Sequence, residues 1–107
     1  MTDLIKFFFV LFAFSTSVLA EPTNFQKVAK IQFDGDSGHL YFVGESKWVS
    51  ENCPSATYVM VRNSVAGRKE IMSIGLSAKM SGTNVSFWGD CSPVNDNYFY
   101  AHYIVIQ

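Results

Sequence analysis

The sequence predicts one mainly β domain with a single helix, in the order strand, strand, strand, helix, strand, strand. Several segments after residue 26 alternate apolar and polar residues with the two-residue period of a half-buried strand. The segment around residue 75 carries the apolar spacing of a helix instead. If a leader of 20 residues is removed, 87 of the 107 residues remain, which is enough for one small core.

The first 20 residues have the layout of a secretory signal peptide. Lys6 precedes an apolar run over 7–14, and the small residues Val18 and Ala20 predict cleavage before Glu21. The run is shorter than the roughly 20 residues that a membrane-spanning helix needs. We therefore expect export to the periplasm or beyond the cell, with no stable membrane insertion after cleavage; an uncleaved N-terminal anchor is the alternative.

Two cysteines, Cys53 and Cys91, follow the leader. An even number of cysteines in a small exported domain predicts a disulfide. Their separation of 38 positions corresponds to about 4 kcal/mol of stabilisation in the chain-entropy model. A metal site is the competing interpretation, but His39 and His102 would be the only histidines to complete it, which makes a poor ligand set. We predict no metal and no cofactor.

The first three strands lie before residue 63. Two alternating segments, 27–34 and 39–44, flank the turn sequence 34–38 and predict a hairpin, preceded by an extended leader over 21–26. Residues 45–56 have the composition of a loop that in part extends the second strand, and 57–62 are β-branched and aromatic, which predicts the third strand.

The helix is predicted to begin after a cap at Asn63 or Ser64 and to end at Gly82. Gly75 costs up to about 1 kcal/mol relative to Ala inside a helix, so it indicates a close approach, either within the monomer or at a subunit contact. The apolar residues form two rows, which is more than one sheet contact needs. The first row is Ile71, Ile74, Gly75 and Ala78, and the second, our candidate subunit contact, is Met72, Leu76 and Met80.

Residues 84–88 and 98–106 predict the last two strands. Three strands, a helix and two strands is the connectivity of the OB-fold, a five-stranded Greek-key barrel with the helix at one end. An open sheet with one helix on a face is the alternative. We favour the barrel because an open sheet would leave two unpaired edges.

The second half of the chain carries a resemblance. The run from Lys69 to Gly82, a helix that ends in Ala-Lys-Met-Ser-Gly, is followed by a short strand and Cys91 over 84–91. This layout resembles a pattern in small exported bacterial proteins of unknown function. These are similar in layout to the B subunits of AB-type toxins of the subtilase-cytotoxin kind, which are OB-folds that form pentameric rings and bind glycans. The chain lacks the second cysteine pair of those subunits and matches none of their glycan-binding motifs, so no sugar-binding residue is carried over.

The charge balance and the motifs favour binding over catalysis. With a net charge of −1, the chain has no electrostatic footprint for nucleic acid. Neither histidine accompanies a nucleophile motif, so we predict no catalytic residue. The Asp34 and Asp36 turn lacks the later ligands of a calcium loop. Exposed aromatic side chains stack on sugar rings or bases, and the candidate ligand-binding residues are Trp48, Tyr58 and Trp88.

Three functional hypotheses follow. The leading one is a non-enzymatic exported module that binds a glycan or a protein partner, with ring formation through the helix as a possible homo-oligomer. The second is a monomeric periplasmic accessory or inhibitor protein. The third and weakest is a small hydrolase, which a turnover assay that depends on His102 would reveal.

Overall fold

The computed structural model describes residues 20–107, and the predicted signal peptide lies outside these residues except for Ala20. The fold is mainly β with one helix. Its elements in chain order are β1 Glu21–Pro22, β2 Val28–Phe33, β3 Leu40–Trp48, β4 Ala56–Val61, α1 Arg68–Ser81, β5 Val85–Cys91 and β6 Tyr98–Ile106. The five predicted strands and the helix between the third and fourth of them are confirmed, and β1 is an additional short strand.

The strands form one open mixed sheet in the order β1-β5-β6-β4-β3-β2, so the predicted closed five-stranded barrel is wrong. Strands β4 and β6 run parallel, and the other neighbouring pairs run antiparallel. The two edge strands of the sheet, β1 and β2, are consecutive along the chain. Gln26, which lies between them in the sequence, makes only an isolated bridge to Val85 of β5. A single bridge is not a ladder, and the sheet therefore stays open there.

The core lies on the inner face of the sheet, the face that α1 covers. Alternate residues of the long strands point into it, among them Phe42, Val59, Phe87 and Phe99, which are fully buried. Phe42 and Phe87 have ring centroids 4.9 Å apart. The two-residue alternation read from the sequence is confirmed, since the residues between these positions lie on the outer face or are partly exposed.

The predicted hairpin of β2 and β3 is confirmed, with Phe33 paired to Leu40 at its closed end. The Asp34 carboxylate accepts a hydrogen bond of 2.9 Å from the backbone N–H of Asp36, and Gly38 adopts a φ of 76° that side chains disfavour. Strand β3 continues to Trp48, which places the start of the predicted loop inside the sheet.

Residues 21–26, predicted as an extended leader, are instead an integral part of the sheet. The Thr23 N–H donates to the Phe87 carbonyl at 2.8 Å, and the Thr23 hydroxyl accepts from the Phe87 N–H at 3.0 Å. The Thr23 carbonyl accepts a further bond of 2.6 Å from the buried Ser86 hydroxyl. The Gln26 side chain donates to the Lys47 carbonyl at 3.0 Å and accepts from the Ser46 N–H at 2.8 Å. This segment is therefore fixed to both β5 and β3.

The end of α1 was predicted correctly, and its start was not. Gly82 has a φ of 68° and donates its N–H to the last turn, as a left-handed cap does. At the other end the cap position is Gly67, with no side-chain cap bond. The reason is that Asn63, one of the two predicted caps, donates its side-chain amide to the Ser37 carbonyl at 2.9 Å, next to the hairpin turn.

The helix packs closely on the sheet at Gly75. A Cβ atom at this position would overlap the ring of Phe42, which is fully buried. The close approach that the sequence indicated thus lies within the monomer. Besides Gly75, Ile71 and Ala78 are the buried residues of α1.

The predicted disulfide is confirmed. Cys53, in the loop after β3, is bonded to Cys91 at the end of β5, with Cα atoms 5.2 Å apart. Because Cys91 pairs with Phe99 of β6, the bridge lies beside the parallel β4–β6 pair. Across residues 20–107, none of the helices has the length and hydropathy needed to cross a membrane.

Candidate functional site

Trp48 lies in the core, away from any surface that a ligand could contact. It is fully buried, its indole N–H donates to the Phe42 carbonyl at 3.2 Å, and it packs edge-to-face on Phe87 with ring centroids 5.2 Å apart. A satisfied indole donor in a packed core is a structural feature. We therefore withdraw Trp48 from the candidate ligand-binding residues.

Tyr58 belongs to a group of three tyrosines on the outer face of the sheet, opposite the core. We call Tyr41, Tyr58 and Tyr98 the tyrosine cluster. The rings of Tyr58 and Tyr98 are stacked with centroids 5.3 Å apart, and Tyr41 meets Tyr58 edge-to-face at 5.8 Å. The three residues come from β3, β4 and β6, and the parallel register pairs Tyr58 directly with Tyr98. The cluster is partly exposed and presents an aromatic surface to solvent.

The packing of the tyrosine cluster affects the acidity of one member. Burial, assisted by the neighbouring Tyr98, raises the pKa of Tyr41 above its ordinary value. The shift extends to higher pH the range in which the Tyr41 phenol keeps its hydrogen.

Trp88 lies further along the same outer face, where it stacks on Tyr103. The two ring centroids are 5.9 Å apart and the rings are nearly parallel, at 10°. Tyr103 is 49% exposed, whereas Trp88 is only partly so. We call this pair the Trp88–Tyr103 stack. It gives the outer face a second aromatic group, on β5 and β6.

Polar side chains lie around Tyr100, between the tyrosine cluster and the Trp88–Tyr103 stack. The Arg62 guanidinium lies over the Tyr100 ring, 4.1 Å from its centroid, and the Ser92 hydroxyl donates to the Tyr100 phenol at 3.1 Å. Asp90 is the cross-strand partner of Tyr100, and its Oδ2 is 3.8 Å from His102 Nε2. The outer face thus combines aromatic rings with side chains that donate and side chains that accept hydrogen bonds.

Sequence reasoning did not select seven of these residues: Tyr41, Arg62, Asp90, Ser92, Tyr98, Tyr100 and Tyr103. The signal for Tyr98 and Tyr100 was present, because they alternate with the buried Phe99 and Ala101. Tyr103 has the opposite parity and would be expected to point inward. The register of β5 and β6 shifts between Trp88 and Gly89, so that His102 has no cross-strand partner. This β-bulge turns Tyr103 to the outer face, beside Trp88. Alternation alone does not show such a bulge.

The second apolar row of the helix is exposed. Met72, Leu76 and Met80 are 39%, 48% and 81% exposed, and we call them the helix row. Phe33, at the end of the edge strand β2, is 55% exposed and lines a small hollow together with Met72 and Arg68. The helix row therefore satisfies the first requirement of a subunit contact, which is an accessible apolar surface.

The two histidines have local roles within residues 20–107. His39 Nδ1 accepts a hydrogen bond of 3.1 Å from the Asn63 backbone N–H, and the nearest charged group to His102 is Asp90. In that range no serine hydroxyl donates to either histidine, and no three His, Cys, Asp or Glu side chains are grouped to hold a metal ion.

The Asp34 turn is closed by its own backbone. Hydrogen bonds from the N–H group of Asp36 and, less strongly, from Ser37 lower the pKa of Asp34. This turn therefore stabilises the hairpin.

Comparison of the chain with protein-family models, with curated proteins and with solved structures gives no match.

Proposed function

We propose that this chain is a non-enzymatic, exported binding module that holds a glycan on the outer face of its sheet. The observation that carries the proposal is the concentration of partly exposed aromatic rings there, in the tyrosine cluster and the Trp88–Tyr103 stack. Monomeric domains usually bury such rings, and an exposed group of them marks a binding surface. Flat aromatic faces flanked by hydrogen-bonding side chains match the alternating apolar and hydroxyl surfaces of a sugar.

Two further features support this proposal. A disulfide is compatible with an oxidising compartment outside the cytoplasm, where glycans of cell surfaces are accessible. The resemblance of the segment from Ala78 to Cys91 to small exported proteins with the layout of toxin B subunits points to the same class of ligand.

The test is glycan binding by the oxidised domain comprising residues 21–107. We expect Trp88→Ala and Tyr58→Ala each to weaken binding of any glycan found on an array by at least about tenfold, since loss of an aromatic stacking surface removes a large contact area. Phe33→Ala is the matched control, because Phe33 is an exposed aromatic on the opposite face of the sheet, paired with the buried Leu40.

Circular dichroism and thermal unfolding establish that each variant is folded. Equal glycan binding by Trp88→Ala, Tyr58→Ala and the wild type would contradict a site on the outer face. Unfolding of both variants would mean that these residues serve the fold, and titration of the outer face by chemical-shift mapping with the wild-type protein would then decide the question.

The helix row favours a second function, binding between protein chains. Its three apolar side chains are exposed, Met80 most of all. In the ring proposal this row contacts a neighbouring copy, which gives several weak glycan sites avidity. Light scattering after size exclusion measures the solution mass: a pentamer supports the ring, and a monomer supports the alternative of a periplasmic accessory or inhibitor protein.

A further inference from the structure

Within residues 20–107, one side of the edge strand β2 is not paired with another strand. β2 is the last strand in the sheet order, and its neighbour is β3. The hairpin bond from the Asp34 N–H to the His39 carbonyl, at 3.0 Å, fixes the phase of the ladder. Because bonded and non-bonded pairs alternate along an antiparallel ladder, the N–H and C=O groups of Ile31 and Phe33 point away from β3. A free edge of this kind is a template for another strand.

Both faces of this edge are accessible. On the inner face Phe33 is 55% exposed and Ile31 is half-buried. Met72, the first residue of the helix row, lies beside Phe33 in their shared hollow. On the outer face Lys30 and Gln32 are exposed. A partner strand would therefore need apolar side chains on one face and an anionic side chain on the other.

The β2 strand of a second copy meets both requirements in one register. Residues with free backbone groups must form the bonded pairs, so Ile31 lies opposite either Ile31 or Phe33 of the partner. With Ile31 opposite the partner's Phe33, both residues exchange hydrogen bonds in each copy, and their side chains pack on the same face. The same register places Lys30 opposite the partner's Asp34, so unlike charges meet. With Ile31 opposite the partner's Ile31, Lys30 would face Gln32 instead.

We propose that two copies of this chain pair along β2 about a twofold axis and form one continuous sheet. Among residues 20–107, neither Lys30 nor Asp34 takes part in an ion pair, so both are available for this contact. A lysine on an edge strand normally discourages pairing, and here the partner's Asp34 offsets it. The bulge between Val28 and Lys30 ends the regular stretch on one side, and the hairpin turn ends it on the other. The contact is therefore short, and we expect a weak dimer.

This pairing would present two binding surfaces on the same side of the dimer. Antiparallel strands in one sheet are related by an axis perpendicular to the sheet, so both outer faces point in one direction. Gln32 pairs with Tyr41 of the tyrosine cluster, so each cluster begins one strand away from the shared edge. This consequence, unlike the pairing itself, rests on the proposed glycan-binding function: two sites on one side bind a glycan-coated surface with avidity.

The first experiment measures the mass of the oxidised domain, residues 21–107, by sedimentation at protein concentrations up to about 1 mM, where weak contacts assemble. We expect a monomer that converts to a dimer as the concentration rises. Intermolecular nuclear Overhauser effects in a mixture of labelled and unlabelled protein should then connect Ile31 with the partner's Phe33. A twofold contact is complete with two copies, whereas a ring needs a head-to-tail contact. A pentamer, a monomer at every concentration, or a dimer without these effects would overturn the pairing.

Charge exchange tests the register. Lys30→Glu opposes like charges at both ends of the shared edge, and Asp34→Lys does so with the other sign, so each should weaken the dimer at least about tenfold. Mixed in equal amounts, the two variants should pair about as well as the wild type, because unlike charges then meet at both ends. Lys27→Glu is the matched control, since Lys27 is exposed and precedes the paired stretch. It should pair within about twofold of the wild type.

Thermal unfolding establishes that each variant is folded. A mixture of folded variants that pairs no better than either variant alone would refute the register. Asp34 also closes the hairpin turn, so if Asp34→Lys does not fold, the comparison of Lys30→Glu with Lys27→Glu and the Overhauser effects of the wild type decide the question.

The pairing and the glycan site can fail separately. Binding of a free oligosaccharide in solution should agree within about twofold between the wild type and Lys30→Glu, and Phe33→Ala remains a valid control there. Adhesion to a glycan-coated surface, at a concentration where the wild type is dimeric, should fall at least about tenfold for Lys30→Glu. Equal adhesion would refute the bivalent use of the dimer. If no glycan binds, the proposed function fails, and the mass and the Overhauser effects still decide the pairing.

Discussion

The N-terminal segment, residues 21–26, and the helix α1 are held to the sheet in opposite ways. The segment is mainly polar, yet Glu21, Thr23 and Gln26 are buried, and their side chains and backbone hydrogen-bond to three other parts of the chain. The helix is rich in apolar residues, yet its buried residues are Ile71, Gly75 and Ala78.

This difference shows that, in a small domain, the apolar content of a segment does not determine how much of the segment is buried. A buried polar residue is stabilised when each of its groups finds a partner, as those of Gln26 do. The apolar side chains of the helix row are exposed instead. The N-terminal segment accordingly contributes to the stability of the monomer, and the helix row is available for another contact.

The largest expected effect comes from the disulfide next to the N-terminal segment. Asn52, adjacent to Cys53, donates its backbone N–H and its side-chain amide to the Glu21 carboxylate, at 2.8 and 3.1 Å. Replacing both cysteines by alanine should lower the free energy of unfolding by about 4 kcal/mol. The reason is that the unfolded chain regains the conformational entropy that the closed loop removes. Urea unfolding measures the difference, and equal midpoints for the two proteins would contradict it.

Gln26→Ala should give the next largest effect. The substitution removes three hydrogen bonds, two of which involve backbone groups of β3. At about 1 kcal/mol each, we expect a loss of roughly 2–3 kcal/mol. Lys27→Ala is the control, because Lys27 is the exposed neighbour. Equal stability of the two variants would show that the polar contacts of the segment contribute little.

Gly75→Ala tests the contact between helix and core. Alanine is the better helix former by about 1 kcal/mol, but its Cβ would overlap the buried Phe42 ring. Overpacking typically costs about 1–3 kcal/mol, so we expect a net loss of up to about 2 kcal/mol in thermal or urea unfolding. Ser77→Ala, at an exposed position of the same helix, should be neutral or slightly stabilising. A stabilised Gly75→Ala would mean that the helix moves freely over the core.

The smallest effect on monomer stability is expected for the helix row. Leu76→Ser combined with Met80→Ser should change the free energy of unfolding by less than about 1 kcal/mol, because Met80 is 81% exposed and Leu76 is 48% exposed. If the helix row contacts a second copy, the same double variant lowers the solution mass to that of a monomer. A large loss of stability in a protein that is already monomeric would refute the division of roles between segment and helix.

The sequence predicted the elements of the fold well where periodicity was strong. The alternation around Phe42 and Phe87 indicated strands, and Gly82 indicated the end of the helix. It failed for residues 21–26, because hydrogen bonds between distant polar groups leave no periodic signal. The sequence also did not predict that the sheet stays open. Closure depends on whether Gln26 forms a continuous ladder with β5 or only the single bridge to Val85.

The candidate site was partly accessible to sequence reasoning. Tyr58 and Trp88 were selected as aromatic strand residues, and the structure places both on the outer face. Trp48 was selected as an aromatic residue of the predicted loop 45–56 and is in the core, because β3 continues to Trp48 despite the loop-like composition of that segment. The position of Arg62 over Tyr100 depends on the parallel β4–β6 register, which no local pattern predicts.

The parallel pairing of β4 with β6 has a kinetic consequence. Val59 and Phe99 meet in the core, although the helix and β5 separate them along the chain. Bringing such distant segments together is slow, because the loop between them must close before any contact forms. In the oxidised chain the Cys53–Cys91 bond provides a covalent path from β4 to β6 that bypasses the helix. The oxidised protein should therefore refold faster than the reduced one, and the helix is free to dock after the two strands have met.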